Sequence, residues 1–236
     1  MAVVKLHPPP GTTPTRETAS NPHPPDTPAV LIDALAVRTE VFIEEQGCSA
    51  ENEVDEDDAR SWHWVMYAGG SEADRAIGTI RLVPPHPRPG VHPAGDANAN
   101  ANGDDDDDGD DQEPYIKLTR VAVVRPLRGH GIGRHLVETA VEWARAHPDE
   151  INGAFQGCPS QSPSTTPTPT RSPSPAHGVV SVPGTAGLWT GLVLVHAQVD
   201  VEGMYGRLGF ERDDAMGRWL EEGIEHVGMW NHVHTE

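Results

Sequence analysis

Residues 115–145 read YIKLTRVAVVRPLRGHGIGRHLVETAVEWAR, and the reading of this stretch decides the fold. An apolar run, Val121 to Val124, stops at Pro126 in a turn that carries Arg125, Arg128, Gly129, Gly131 and Gly133. Ile132, Leu136, Val137, Ala140, Val141 and Ala144 then follow at helical spacing. The order is strand, glycine-rich turn, helix. Such a turn suits an anion, because the first turn of a helix presents unpaired N–H groups and the positive end of its dipole. Residues without side chains let a phosphate reach the backbone, and neighbouring arginines add forked hydrogen bonds.

Two nucleotide-binding patterns fail here on spacing. A dinucleotide fingerprint needs G-x-G-x-x-G, but the glycines fall at 129, 131 and 133 and Arg134 stands where the third belongs; a Walker loop, G-x-x-x-x-G-K-[ST], is absent. What the residues do fit is [QR]-x-x-G-x-[GA], as Arg128-Gly129-His130-Gly131-Ile132-Gly133, directly after a strand.

Outside this stretch, composition divides the chain. Residues 1–27 are rich in Pro and Thr, 84–113 run through an acidic Pro/Gly/Asn tract, and 153–187 hold a Ser/Thr/Pro tract. None buries enough apolar surface to offset the entropy of ordering, so they read as a tail and two disordered insertions in one domain spanning 28–236. The chain carries 36 Asp and Glu against 17 Lys and Arg, a formal net charge of −19. Nine of the acids lie within Asp96–Glu113, and the rest of the chain is still acidic. That excludes nucleic acid as the expected partner, since duplex binding relies on basic patches that displace counterions. It suits a cationic partner such as an amine, and equally a hydrated acidic surface. Two cysteines, Cys48 and Cys158, offer no disulfide framework, so a reducing, cytoplasmic setting is expected. The start MAVVKLHPPP lacks a signal-peptide core, and no run nears the ~18 apolar residues of a membrane span.

In chain order, AVVKL (2–6) reads as a possible first strand, and Ala29 onward as a helix that Gly47 ends. The acidic run Glu51 to Asp58 reads as a solvated loop, with an ammonium-attracting lip as its sharper alternative. SWHWVMYA (61–68) and AIGTIRLV (76–83) form an expected hairpin. In Tyr115 to Val124 the apolar parity changes at Val121, which predicts a bulge or full burial. LWTGLVLV (188–195) reads as a buried strand. Val201, Met204, Tyr205 and Leu208 form one helix face that Gly209 ends; the tail reads as a loop and a strand from Ile224 to about Val233. Strand and helix signals alternate, giving a mixed α/β domain. His226, His232 and His234 share strand parity, but without a cysteine or an acidic ligand at fixed spacing no metal site is expected.

Four segments in this order resemble the GNAT superfamily of N-acetyltransferases: the loop Arg128 to Gly133; HAQVDVEGMYGRLGF (196–210) with Tyr205 four residues before Gly209; VRTEVFIEEQGC (37–48) with the run Glu53 to Asp58; and EEGIEHVGM (221–229). The last two are similar to the ElaA-like branch. The resemblance implies an α/β GNAT fold: a mixed, mostly antiparallel sheet splayed in the middle and flanked by helices, with acetyl-CoA as co-substrate in the gap. Val121, Ala122 and Val123 would meet the pantetheine arm, and Arg128, Gly129, His130, Gly131, Ile132, Gly133 and Arg134 the pyrophosphate. The superfamily commonly has an Asn on the segment His196 to Gln198, and Gln198 would take its place in contacting the cofactor. Tyr205 is implied as the acid that protonates the leaving thiolate, while Glu45, Asp57, His196 and His226 are candidate bases. The activity implied is acetyl transfer to a primary amine of a small molecule by direct attack in a ternary complex, by a monomer or homodimer. A protein lysine or N-terminal acceptor, and a CoA-binding module without turnover, stay open beside it.

Overall fold

The computed structural model of the protein describes residues 2–14, 27–69, 75–85, 113–156 and 188–235. Strand β1 (Val3–His7) pairs with β2 (Trp62–Tyr67), β2 with β3 (Ala76–Val83), and β3 with β4 (Tyr115–Val123), each antiparallel. The sheet therefore starts inside the segment read as a tail. β4 lies parallel to β5 (Leu192–Gln198), and β8 (Ile224–His232) runs antiparallel to β5 on its other side. β6 (Glu211–Arg212) and β7 (Arg218–Glu221) both pair with β8, completing eight strands among the described residues. The sheet is mixed and mostly antiparallel, with helices against it, as expected. The acidic and Ser/Thr/Pro insertions lie outside the described residues, apart from 84, 85, 113 and 153–156.

All six residues of β2 are buried because both faces of the strand are covered. Trp62 and Trp64 meet Trp143 of helix α2 (Ile132–Ala146), with ring centroids 5.0 and 5.5 Å apart. On the opposite face Val65 and Tyr67 meet Ala34 of helix α1 (Ala29–Arg38), and the Tyr67 hydroxyl donates to Asp33 at 2.8 Å. Helix α2 buries the stripe its spacing predicts, Leu136, Val137, Ala140 and Ala144. It comes close to β3 because Gly78 has no side chain; a Cβ there would lie 3.0 Å from Leu136 Cδ1 and 3.1 Å from the Ala122 carbonyl.

Several boundaries differ from the sequence reading. The first helix is α-helical only to Arg38 and then widens into a π-helical turn, Thr39–Glu45. Strand β5 starts at Leu192 rather than Leu188, because Gly191 turns the chain at φ 127 and the buried Trp189 donates its indole N–H to the Leu192 carbonyl at 2.7 Å. Helix α3 (Pro148–Gln156) is additional and carries the start signals of Pro148 at its first position, then Asp149 and Glu150. Helix α4 (Glu202–Gly206) is shorter than its apolar spacing suggests. β7 occupies part of the expected loop; Glu222 and Gly223, at φ 50 and 80, form the two-residue turn that joins it to β8.

The acidic run corrects the reading of a solvated loop. Asp58 is 0 % and Glu53 4 % exposed. Arg38 binds Glu53 through Nε and Asp58 through Nη1 at 2.6 Å, while Arg81 holds Asp55 at 2.6 and 2.9 Å and Asp58 at 2.9 Å. Burial alone would raise the Asp58 and Asp55 carboxyls, but the arginines outweigh it and hold both below the usual range. His63, beneath them, is pushed down to about 4 by burial.

What positions the functional site is the parting of β4 from β5. They pair only from Tyr115 to Leu118 against Leu192 to Val195. Beyond that point β4 continues to Val123 against β3, and β5 continues to Gln198 against β8. A wedge opens between them. The predicted bulge sits at its edge: Arg81 faces Thr119 and Thr79 faces Ala122, leaving Arg120 and Val121 opposite Ile80 alone.

Candidate active site at the sheet wedge

The glycine-rich turn lies at the end of β4, where the wedge widens. Gly129 and Gly131 both adopt φ 80, a left-handed conformation that favours glycine. A Cβ at either would meet nothing within 4 Å, so the surface outside the turn is open. No side chain caps the helix start at Gly131. The N–H groups of Leu127 and Arg128 bond back to Val124 and Arg125, and that of His135 begins the helical ladder on Gly131. Among the described residues, no such internal partner takes the N–H groups of Gly129, His130, Gly131, Ile132 or Gly133. Their donors, the helix dipole and the missing side chains together fit a diphosphate.

The flanking side chains are engaged with one another. Arg128 donates to both oxygens of Glu45 at 2.6 and 2.8 Å and, through Nε, to the Val123 carbonyl at 2.9 Å. The Arg128 hydrogen bonds keep the Glu45 carboxyl below its usual range. Arg134 pairs with Glu138 one turn along the helix, and His130 Nδ1 lies 2.9 Å from the Arg128 carbonyl. Gln198 donates to Gln46 at 3.2 Å, so the end of the π turn reaches both margins of the wedge.

Tyr205 enters from α4, which lies against the glycine-rich turn: a Cβ at Gly133 would be 3.5 Å from Met204 Sδ. The Tyr205 ring is 4 % exposed, meets Phe210 edge-on at 5.6 Å, and its hydroxyl has no hydrogen-bond partner among the described residues. Burial raises this phenol well above its usual value, so it stays protonated at neutral pH. On the opposite face of the β5–β8 pair, His226 stands across from Gln198 and His196 across from Gly228. Trp219 of β7 lies between them, 4.9 Å edge-on from His196 and 6.2 Å from His226. His226 Nδ1 is 2.9 Å from the Ile224 carbonyl, which fixes Nδ1 as the donor and leaves Nε2 as the basic nitrogen. Asp57 sits apart, in the turn Glu56–Arg60, 3.8 Å from Arg60.

Three contributors escaped the sequence reading. Trp219 lies in the unanticipated β7, signalled only by Glu222-Gly223 between two β-prone runs. Arg120 carries a positive φ of 52 that no sequence pattern announces. The third is a strap: the Glu222 carboxylate accepts from the Ser49 N–H at 3.0 Å and from Asn52 at 2.6 Å, joining the loop after the π turn to the β7–β8 turn. Among the described residues, no group of His, Cys, Asp and Glu has the arrangement of a metal site, and no helix is long and apolar enough to cross a membrane.

A sheet that parts beside an open, donor-lined turn has room for an extended ligand that carries an anionic group. The profile of the Acetyltransferase (GNAT) family matches residues 31–154, more than half of the chain. The chain belongs to that family and is an acetyl-CoA-dependent acyltransferase. Two solved structures share its fold. An acyl-CoA N-acyltransferase from Pseudomonas aeruginosa is 19 % identical with a TM-score of 0.53, covering 98 % of this chain and 99 % of that one. A Lactobacillus plantarum protein assigned as an N-acetyltransferase is 20 % identical with a TM-score of 0.51, covering 98 % and 97 %. ElaA of Escherichia coli is 17 % identical with a TM-score of 0.49, covering 98 % of this chain and 100 % of that one, too weak a likeness to argue a branch.

Proposed function

We propose that this enzyme transfers the acetyl group of acetyl-CoA to a primary amine of a small molecule, by direct attack within a ternary complex. The observation that carries the proposal is the wedge beyond Leu118 and Val195, which ends at the open turn Gly129 to Gly133. The turn would hold the pyrophosphate, and the freed β4 edge at Val121 to Val123 the pantetheine arm. The Val123 carbonyl already accepts from Arg128 Nε and has a second lone pair for a donor of the arm.

In the proposed reaction His226 Nε2 takes a proton from the acceptor ammonium. The neutral amine attacks the thioester carbon, a main-chain N–H at the bulge stabilises charge on the oxygen, and the C–S bond breaks as Tyr205 protonates the sulfur; the surplus proton on the new amide nitrogen then leaves by way of solvent and returns the Tyr205 phenolate to the phenol. Of the candidate bases, Glu45 is the weakest, because Arg128 stabilises its charged form. The strap from Ser49 and Asn52 to Glu222 favours a compact amine over an extended polypeptide.

Release of free thiol from acetyl-CoA, measured across panels of small amines and of peptides, tests the reading. Turnover is expected with small amines. Turnover confined to peptides would move the acceptor to protein, and tight CoA binding without thiol release in either panel would make the chain a binding module.

A further inference from the structure

The run Glu53 to Asp58 takes no direct part in the proposed reaction. Its contacts converge on one residue of the wedge. Arg120 lies in the bulge at φ 52, and among the described residues only it and Glu222 are non-glycine residues at positive φ. A left-handed arginine is strained, so other interactions must hold it there. The Arg120 guanidinium donates to the Glu53 carbonyl at 3.1 Å, to the Asn52 carbonyl at 2.9 Å and to Asp55 Oδ2 at 3.0 Å.

The loop that receives these bonds is itself immobilised from two directions. Asp55 and Asp58 cap the turn Glu56–Arg60 reciprocally, each accepting the other's main-chain N–H, at 3.2 and 3.0 Å. Arg38 ties Asp58 and the Glu53 carbonyl to α1. Arg81 ties Asp55 to β3 and also donates to Thr119 Oγ1 at 2.8 Å, on the residue immediately before the bulge. The circuit therefore grips both Thr119 and Arg120, so the main chain cannot relax into regular pairing with β3 without breaking charged hydrogen bonds. We infer that Arg120 is a positioning residue: the acidic loop, through Arg120, holds the β4 bulge in the conformation that turns its main-chain donors toward the wedge. The acidic run thus serves the transition state from behind, rather than attracting the acceptor. The inference rests on the proposed transfer reaction.

Three variants test it. Arg120→Ala loses the grip and keeps the strain; Arg120→Gly loses the grip but adopts φ 52 freely; Asp55→Asn weakens the receiving end. Expected for Arg120→Ala is a fall in kcat of about 10- to 100-fold with a clearly smaller loss of CoA affinity, since the turn at Gly129 to Gly133 is untouched and only the neighbouring arm-binding edge moves. Arg120→Gly should recover part of that loss, and Asp55→Asn combined with Arg120→Ala should cost little more than Arg120→Ala alone. The amide resonances of Val121 and Ala122 give a second readout: they should shift in Arg120→Ala and less in Arg120→Gly. If wild-type protein releases no thiol with any amine, the transfer reading fails while these resonances still test the grip. Unchanged kcat and unchanged resonances in Arg120→Ala would overturn the inference, as would losses that follow only the folded fraction measured by circular dichroism.

Discussion

At Tyr205, burial favours the protonated phenol, and the hydroxyl has no hydrogen-bond partner among the described residues. A core tyrosine that served packing alone would lose little as phenylalanine, whose ring fills the same space. If the hydroxyl delivers a proton to sulfur, Tyr205→Phe lowers kcat by about 100-fold or more while the CoA Kd stays as it was. An unaffected rate would reduce the residue to packing against Phe210. Gly131 offers a complementary test of the turn. Glutamate there must take φ 80, at about 1–2 kcal/mol, and sets a carboxylate where a diphosphate would sit. Calorimetry should show CoA binding abolished in Gly131→Glu, and retained affinity would disconnect the turn from the pyrophosphate. Both residues are singled out by local sequence pattern, Tyr205 by its spacing to Gly209-Phe210 and Gly131 by the glycine-rich turn.

Among the elements, the turn Glu56–Arg60 and the loop before it behave as a core component made of charge. Asp58 has 0 % of its surface exposed and is bonded to arginines on two elements, Arg38 on α1 and Arg81 on β3. Removing one partner of a buried pair leaves the other charge without compensation, at about 3–5 kcal/mol, whereas an exposed pair contributes about 0–1 kcal/mol. Arg38→Ala is therefore expected to lower the free energy of unfolding by several kcal/mol in a urea titration. A loss under about 1 kcal/mol would mean that water reaches Asp58 once the guanidinium is gone. Residue types alone made a hydrated loop the simpler reading, since acids in sequence repel one another unless bases arrive from elsewhere. Those bases sit at positions 38, 81 and 120, up to 68 residues from the loop residues they bind.

For the molecule as a whole, these groups set a dependence of stability on pH. Between 6.5 and about 4, His63 is protonated in the unfolded chain but neutral in the folded one. The unfolded state then binds more protons, so stability falls as the pH falls through this window. Below about 4, Asp58 and Asp55 act in the same direction: their folded carboxyls titrate lower than unfolded ones, so the stability they contribute above that range is lost on further acidification. The melting temperature should decline from pH 6.5 to pH 4, and His63→Gln should flatten that decline while leaving the steeper acid limb. A decline of equal slope in His63→Gln would place the titrating group elsewhere.

From its order of residues the chain already determined a strand, a glycine turn and an amphipathic helix, and with them the acyltransferase family. Those signals are local: periodicity, Pro126 and glycines spaced two apart act on their own stretch of backbone, whatever else the chain does. Tertiary structure alone decided where β4 leaves β5, which conformation Arg120 is held in, and that Glu53 and Asp58 of the acidic run are buried. Each of these depends on partners brought together from distant positions, as Asp55 and Arg120 are across 65 residues. A charge is hydrated or buried according to what the fold sets opposite it, and that complement is not encoded within the run itself.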